Sequence, residues 1–228
     1  MDRTKQQYRK FNDMIELNTQ GIKDARKVYV AIDNGVTGAI AMMDELGDLL
    51  YLNLTPVRKV MDYTKARNLI NRLDGTAFKE ILAPLIPSKT VIRLERPAAS
   101  PKLNWKNTVS AIRCDEAQQI VMEGLGLPFQ HIDSRDWQTS MLKIPKKKKV
   151  TPVTKHLKAK LSKEELAAVV AENKASKAYN SRISGQTKKQ AVAMAEQIFP
   201  HAIVGVSKQK EALADAVLIA QWMRTTKV

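Results

Sequence analysis

Cysteine is almost missing from this 228-residue sequence, long apolar runs are absent and acidic residues are outnumbered by basic ones, and each shortage excludes something. A single cysteine, Cys114, excludes an internal disulfide. Its place in the helical pattern AIRCDEAQQIVMEG reads as a buried structural thiol rather than a reactive one. No apolar run approaches the roughly 18 residues that a membrane span needs. The opening stretch MDRTKQQYRKFNDMIELNTQGIKDARK mixes charges of both signs and lacks the apolar core of a secretory signal. The expected setting is therefore the cytoplasm, bacterial or of a phage-infected host, with a nuclear or organellar one left open.

The shortage of acid is the loudest of the three. Thirty-eight lysines and arginines face 23 aspartates and glutamates, for a net charge of +15 and a pI near 9.9. A pI above about 9 points to a polyanionic partner, most often nucleic acid. The excess is also concentrated: MLKIPKKKKVTPVTKHLKAK, residues 141–160, holds eight lysines and no acidic residue.

Apolar periodicity sets the element order. Residues 28–33, 38–44 and 48–54 read as three strands in an antiparallel meander, after a polar N-terminal arm over residues 1–26. A helix is expected over 64–83 on the stripe Leu69, Ile70, Leu73, Phe78 and Ile81, with Gly75 as an interruption. Strand 90–95, a loop marked by Pro97 and Pro101, helix 107–124 and strand 128–133 follow. Residues 143–186 form a basic insertion in which Ser162 and Glu165 make a capping box for a helix to about Lys177. SRISGQT reads as a loop, Thr187 as the cap of a helix to Phe199, and 209–224 as a closing helix. Strands alternating with helices after a meander indicate an α/β fold, a mixed sheet with helices on both faces. No internal repeat is visible.

Three carboxylates break apolar patterns. Asp33 ends the first strand at the glycine-lined turn DNGVTG, Glu95 ends the fourth, and Asp215 interrupts the apolar ALADAVLIA. Glu211 lies four residues before Asp215, on the same helix face. Neighbouring strands would bring Asp33 and Glu95 out side by side, with the last helix above them. Like charges about 4 Å apart repel by roughly 4 kcal/mol at an effective dielectric near 20, so protons or cations must relieve such a cluster. Oxygen-only ligands suit Mg²⁺ or Mn²⁺, and a pair of such ions can activate water and stabilise the leaving oxygen of a phosphodiester. Taken singly, each residue has a plainer reading: a turn aspartate, a surface ion pair of Glu95 with Arg96, a solvated helix position.

These segments resemble the RuvC-type Holliday junction resolvases of the RNase H-like superfamily, in their divergent phage and organellar branch. VAIDNGVTGAIA resembles the first-strand motif, with Asn34 in place of proline, and VIRLERP the glutamate-ending strand. DEAQQIVMEGLGLPFQHIDSRDWQTSMLKI and the pair QTKKQAVAMAEQIFP and KEALADAVLIAQW resemble the later helices and strand. The likeness covers residues 27–143 and 185–224. Residues 108–117 lack glycines expected in that branch, and Glu211 stands where aspartate is commoner. The resemblance implies an RNase H-like five-stranded sheet over residues 27–228 and a homodimer that nicks four-way DNA junctions symmetrically. Asp33, Glu95, Glu211 and Asp215 would hold two divalent ions, Mg²⁺ or Mn²⁺.

Candidate DNA contacts are Arg96, Lys102, Trp105 and Lys106 after the fourth strand, and Lys143, Lys146, Lys147, Lys148, Lys149 and Lys155 in the insertion. Trp105 either stacks on a base or wedges a junction arm, or packs on the core; Trp137 and Trp222 fall on apolar patterns. The histidines show no metal-ligand spacing. Three other readings compete. Asp33-x-Gly35-x-Thr37 also suits a phosphate-binding ATPase domain, which needs a second glycine-bearing loop that the chain lacks. A ribonuclease on RNA–DNA hybrids and a non-catalytic junction-binding protein share the fold.

Overall fold

A computed structural model of the chain describes residues 15–62, 65, 67–97, 105–200, 202 and 209–226. The chain forms two compact units, one up to Met141 and again from Ala191 onward, the other Leu142–Gln190.

In the larger unit a short helix α1 (Thr19–Asp24) is capped by Asn18, whose Oδ1 accepts from the Gly21 N–H at 2.8 Å. Then come β1 (Val28–Ile32), β2 (Ala39–Asp44) and β3 (Leu49–Leu54), the antiparallel meander expected. The next segment departs from expectation. Residues 57–73 form a hairpin, β4 (Val57–Met61) and β5 (Leu69–Leu73), and only then does α2 (Gly75–Leu82) begin. Leu69 and Leu73 are four apart, a separation that shares a face in a helix and in a strand alike, so spacing alone did not separate the two. Asp74 decides the boundary. Its Oδ1 accepts from the Ala77 N–H at 3.2 Å, an N-cap that makes Gly75 the start of a helix and not a break within one.

β6 (Thr90–Glu95), α3 (Trp105–Gly124), β7 (Phe129–Ile132) and α4 (Ser134–Met141) complete the alternation. The main sheet has the order β3-β2-β1-β6-β7, with β1, β6 and β7 mutually parallel. It is the mixed five-stranded α/β sheet flanked by helices that the sequence implied, in an order consistent with the RNase H-like class.

Central β1 is buried at every position, as a strand covered on both faces must be. Val28, Val30 and Ile32 pack in one cluster with Phe78 and Leu82 of α2 and Cys114 and Met122 of α3. Two further helices precede the closing one, α5 (Lys155–Lys160) in the smaller unit and α6 (Lys163–Ile198), whose residues belong to both units. The closing helix α7 (Lys210–Thr226) lies on β1, β2 and β3. Small residues on both partners, Ala31, Ala39 and Ala41 in the sheet and Ala214, Ala216 and Ala220 in α7, are all buried and allow close approach.

The smaller unit realises the capping box. Glu165 N–H donates to Ser162 Oγ at 3.1 Å, and Ser162 N–H to Glu165 Oε2 at 2.8 Å. The expected SRISGQT loop is instead helix, because α6 continues through it. Its hydroxyls bond back along the helix instead of capping a new one. Ser184 Oγ donates to Asn180 O at 3.0 Å, and Thr187 Oγ1 to Ile183 O at 2.9 Å. Among the described residues no helix is long and apolar enough to cross a membrane.

Candidate active site

The last paired residues of β1 and β6 are Ile32 and Leu94. One residue further on, Asp33 and Glu95 stand side by side at the carboxyl edge of the sheet, Glu95 still paired with Ile132 of β7, where parallel neighbours lie about 4.8 Å apart. The turn that follows Asp33 is held by glycine. Asp33 N–H donates to Ala39 O at 2.9 Å, and Gly35 sits at φ +123°, a backbone state that other residues rarely adopt. A Cβ at Gly38 would fall 2.0 Å from the Asp33 carbonyl oxygen, so only glycine fits there. DNGVTG is thus a turn shaped to bring chain against chain at the carboxylate.

Asp33, Glu95 and Asp215 line one pocket of about 360 Å³, together with polar Asn34, Asn107 and Ser134. Burial pushes the Glu95 carboxyl above its ordinary range, while hydrogen bonds from Ser134 and with Asp33 pull the other way. The Trp137 indole also acts on it weakly, but its Nε1–H is buried without a partner at hydrogen-bonding geometry.

Glu211 lies in the first turn of α7, exposed and outside the lining of this pocket. Arg96 lines the rim and pairs with Asp133 at 3.9 Å, not with Glu95. The donor set suits a hard divalent ion: carboxylate oxygens, and an Asn34 Oδ1 that is buried with no hydrogen-bond partner. Among the described residues no three His, Cys, Asp or Glu side chains converge on one ion-sized point. The ready-made part is therefore the Asp33–Glu95 pair, with Asp215 on the wall.

Sequence reasoning missed the support behind the pair. Asp115 of α3 is buried and accepts from Gln119 Nε2 at 2.6 Å; His131 Nε2 of β7 lies 3.1 Å away. Asn34 Nδ2 lies at the outer limit of hydrogen bonding, 3.5 Å from the same carboxylate. The residue next to the catalytic candidate is thereby tied to α3. Nothing in the spacing of residues 34, 115 and 131 announces this, because three separate elements supply them.

The candidate DNA contacts fall in both units. Trp105, expected in a loop, opens α3 with its side chain 76% exposed; Lys106 follows it. Lys102 and the arm over residues 1–14 lie outside the described residues, as does His201. Trp137 is fully buried as expected, and Trp222 is half-buried. Cys114 is buried, and burial pushes its thiol up to about 11.

In the smaller unit Lys143, Lys146, Lys147, Lys148, Lys149 and Lys155 are all exposed. Two asparagines of α6 hold the lysine run in extended form. Asn180 exchanges hydrogen bonds with the Lys148 N–H and C=O at 2.8 Å each, and Asn173 with those of Thr151 at 2.8 and 2.7 Å. Seven helical residues rise about 10.5 Å, and three extended residues span about 10 Å, so the two ladders match. The Lys148 ammonium lies 5.1 Å from the Tyr179 ring centroid, on the same helix.

No family model and no curated protein matches the chain. Two solved structures align with the chain. T. thermophilus RuvC in complex with Holliday junction substrate aligns at 8% identity and TM-score 0.48, and a Thermus thermophilus RuvC structure at 10% and 0.39. Each alignment covers 88% of this chain and 96% of that chain. The strand order and directions, not these likenesses, define the fold class.

Proposed function

We propose that the protein is a divalent-metal-dependent endodeoxyribonuclease that resolves four-way DNA junctions by paired, symmetric phosphodiester hydrolysis, acting as a homodimer. The observation that carries the reading is the Asp33–Glu95 pair at the ends of adjacent parallel strands, with Asp215 of α7 on the wall of the same pocket. Open α/β sheets bind ligands at this carboxyl edge. The net charge of +15 supplies the attraction for a polyanion.

Asp33, Glu95 and Asp215 would hold Mg²⁺ or Mn²⁺, two ions per site, with Glu211 one turn before Asp215 as the fourth candidate. Bound there, such ions lower the pKa of water and stabilise the departing 3′ oxygen. The chain's own residues do the rest. Ser134 orients Glu95 through its hydrogen bond, and Gly35 and Gly38 keep Asp33 at the pocket mouth. Arg96, Lys102 and Lys106 contact phosphates, and Trp105 offers an aromatic face to a base. Lys143, Lys146, Lys147, Lys148, Lys149 and Lys155 add contacts that position DNA without reading its sequence.

The test is cleavage of a labelled four-way junction with Mg²⁺ or Mn²⁺, beside duplex DNA and an RNA–DNA hybrid, with Asp33→Asn as control. Paired nicks in the junction alone, abolished in the variant while binding persists, support the reading. Preferential cutting of the hybrid makes the protein a ribonuclease. Junction binding without cleavage in either metal makes it a non-catalytic binder.

A further inference from the structure

The β4–β5 hairpin, whose second strand lies in the stretch 64–83 expected as helix, sets two arginines against each other. Arg58 and Arg72 are directly opposite in the antiparallel register, so their side chains leave the same face of the ribbon with Cβ atoms about 5 Å apart. Like charges in that relation destabilise a strand pair. Both line a groove of about 380 Å³ whose far wall is α3. There Ser110, Arg113 and Ala117 follow at helical spacing, adding a third guanidinium. No acidic side chain is among the described residues that line this groove, and Val36, Val60 and Leu73 give it apolar walls.

We infer that Arg58 and Arg72, with Arg113 opposite, form a binding site for the phosphates of a nucleic-acid backbone that runs between the β4–β5 hairpin and α3. Guanidinium groups match phosphate oxygens two at a time, and an anion between the two arginines converts their repulsion into shared attraction. A second groove of about 530 Å³, which reaches Lys106 and the exposed Trp105, shares Val36, Arg72 and Ser110 with the first. A strand following both has cations and an aromatic face along its way, which a single small anion does not need. The route also leads to the carboxylates. Val36 belongs to the turn that begins at Asp33, and Asn107 lines both the second groove and the acidic pocket.

The inference rests on the nucleic-acid reading above but not on catalysis, so the test is made in EDTA. Anisotropy of a labelled four-way junction, from 50 to 200 mM salt, compares wild type with the double variant Arg58→Gln/Arg72→Gln and with Arg58→Lys/Arg72→Lys. Each phosphate that is no longer neutralised flattens the log–log salt slope by about 0.9, so the glutamine pair is expected to flatten it by about 0.9 where the two arginines share one phosphate and by roughly 1.8 where each holds its own. The lysine pair is expected to keep the slope, since it keeps the charge. The glutamine variant should melt no lower than wild type, because it removes a like-charge pair. An unchanged slope in the glutamine variant overturns the inference. So does a variant that forfeits only the thermal stabilisation given by inorganic phosphate, since the site would then serve a small free anion. A glutamine variant with the flattened slope in EDTA, beside a wild type that cuts no junction in Mg²⁺ or Mn²⁺, sinks the nuclease reading and leaves this site standing. Normal cleavage with an unchanged slope in the glutamine variant does the reverse.

Discussion

Asp33 and Glu95 sit one residue beyond the Ile32–Leu94 pair of two parallel strands, and their carboxyls are hydrogen-bonded to each other. Backbone pairing alone brings them together, since β1 and β6 are neighbours from Val28 and Thr90 onward. Two acids held this way, with burial disfavouring the charge of one, form a place where a proton or a cation must reside.

Asp33→Asn and Glu95→Gln are each expected to lower junction cleavage by on the order of a hundredfold or more, the few kcal/mol that metal-assisted charge stabilisation is worth. Junction binding in EDTA should change by less than about threefold. Single-turnover cleavage and anisotropy on the same preparations check both. Cleavage retained in both variants removes the pair from the chemistry.

The pH dependence of stability follows from the raised Glu95. A carboxyl whose folded pKa exceeds the ordinary value of about 4.5 favours the folded state fully below that value, and this contribution is lost as pH rises through the folded pKa. Above it, the folded chain carries a buried charge. Glu95→Gln is therefore expected to melt higher than wild type at pH 8 without metal, with the gap closing near pH 4. Melting curves in EDTA across that window measure it, and a variant less stable than wild type at pH 8 contradicts it.

Gly38→Ala has a different signature. With its Cβ 2.0 Å from the Asp33 carbonyl oxygen, the turn must open. The expected loss is about 2 kcal/mol or more of unfolding free energy, within the range for strain at a special backbone position. Urea denaturation checks it, and cleavage should fall further than the stability loss alone accounts for, because Asp33 moves with the turn.

The asparagine ladder makes a prediction about the lysine run. Asn173→Ala together with Asn180→Ala removes four hydrogen bonds from the backbone at Lys148 and Thr151. Trypsin is then expected to cut at Lys146–Lys149 at least about tenfold faster, while α6 keeps its helicity by circular dichroism. Equal cutting rates would mean that the run is held by something else.

Strands carry their own legibility. Val28–Ile32, Ala39–Asp44 and Leu49–Leu54 are short apolar runs bounded by turn residues, and Glu95 shows itself by ending TVIRLE. Ser162 and Glu165 likewise announced a helix start that the hydrogen bonds bear out. These signals are local, carried by residues a few positions apart.

The hairpin at 57–73 was not legible in that way, because Leu69 and Leu73 satisfy both periods and only the pairing of β4 with β5 decides between them. Nor was the SRISGQT helix, where serine, glycine and threonine suggest a loop until their neighbours carry the helix through. Chain order was enough for the meander, the charge and the three carboxylates at the ends or within the faces of apolar elements. It took the closed sheet and its packed helices to line one pocket with Asp33, Glu95 and Asp215, to stand Asp115 and His131 behind Asn34, and to face Arg58 with Arg72. Such meetings join residues from different elements, most of them tens of positions apart, and the backbone leaves their distance free until the strands pair.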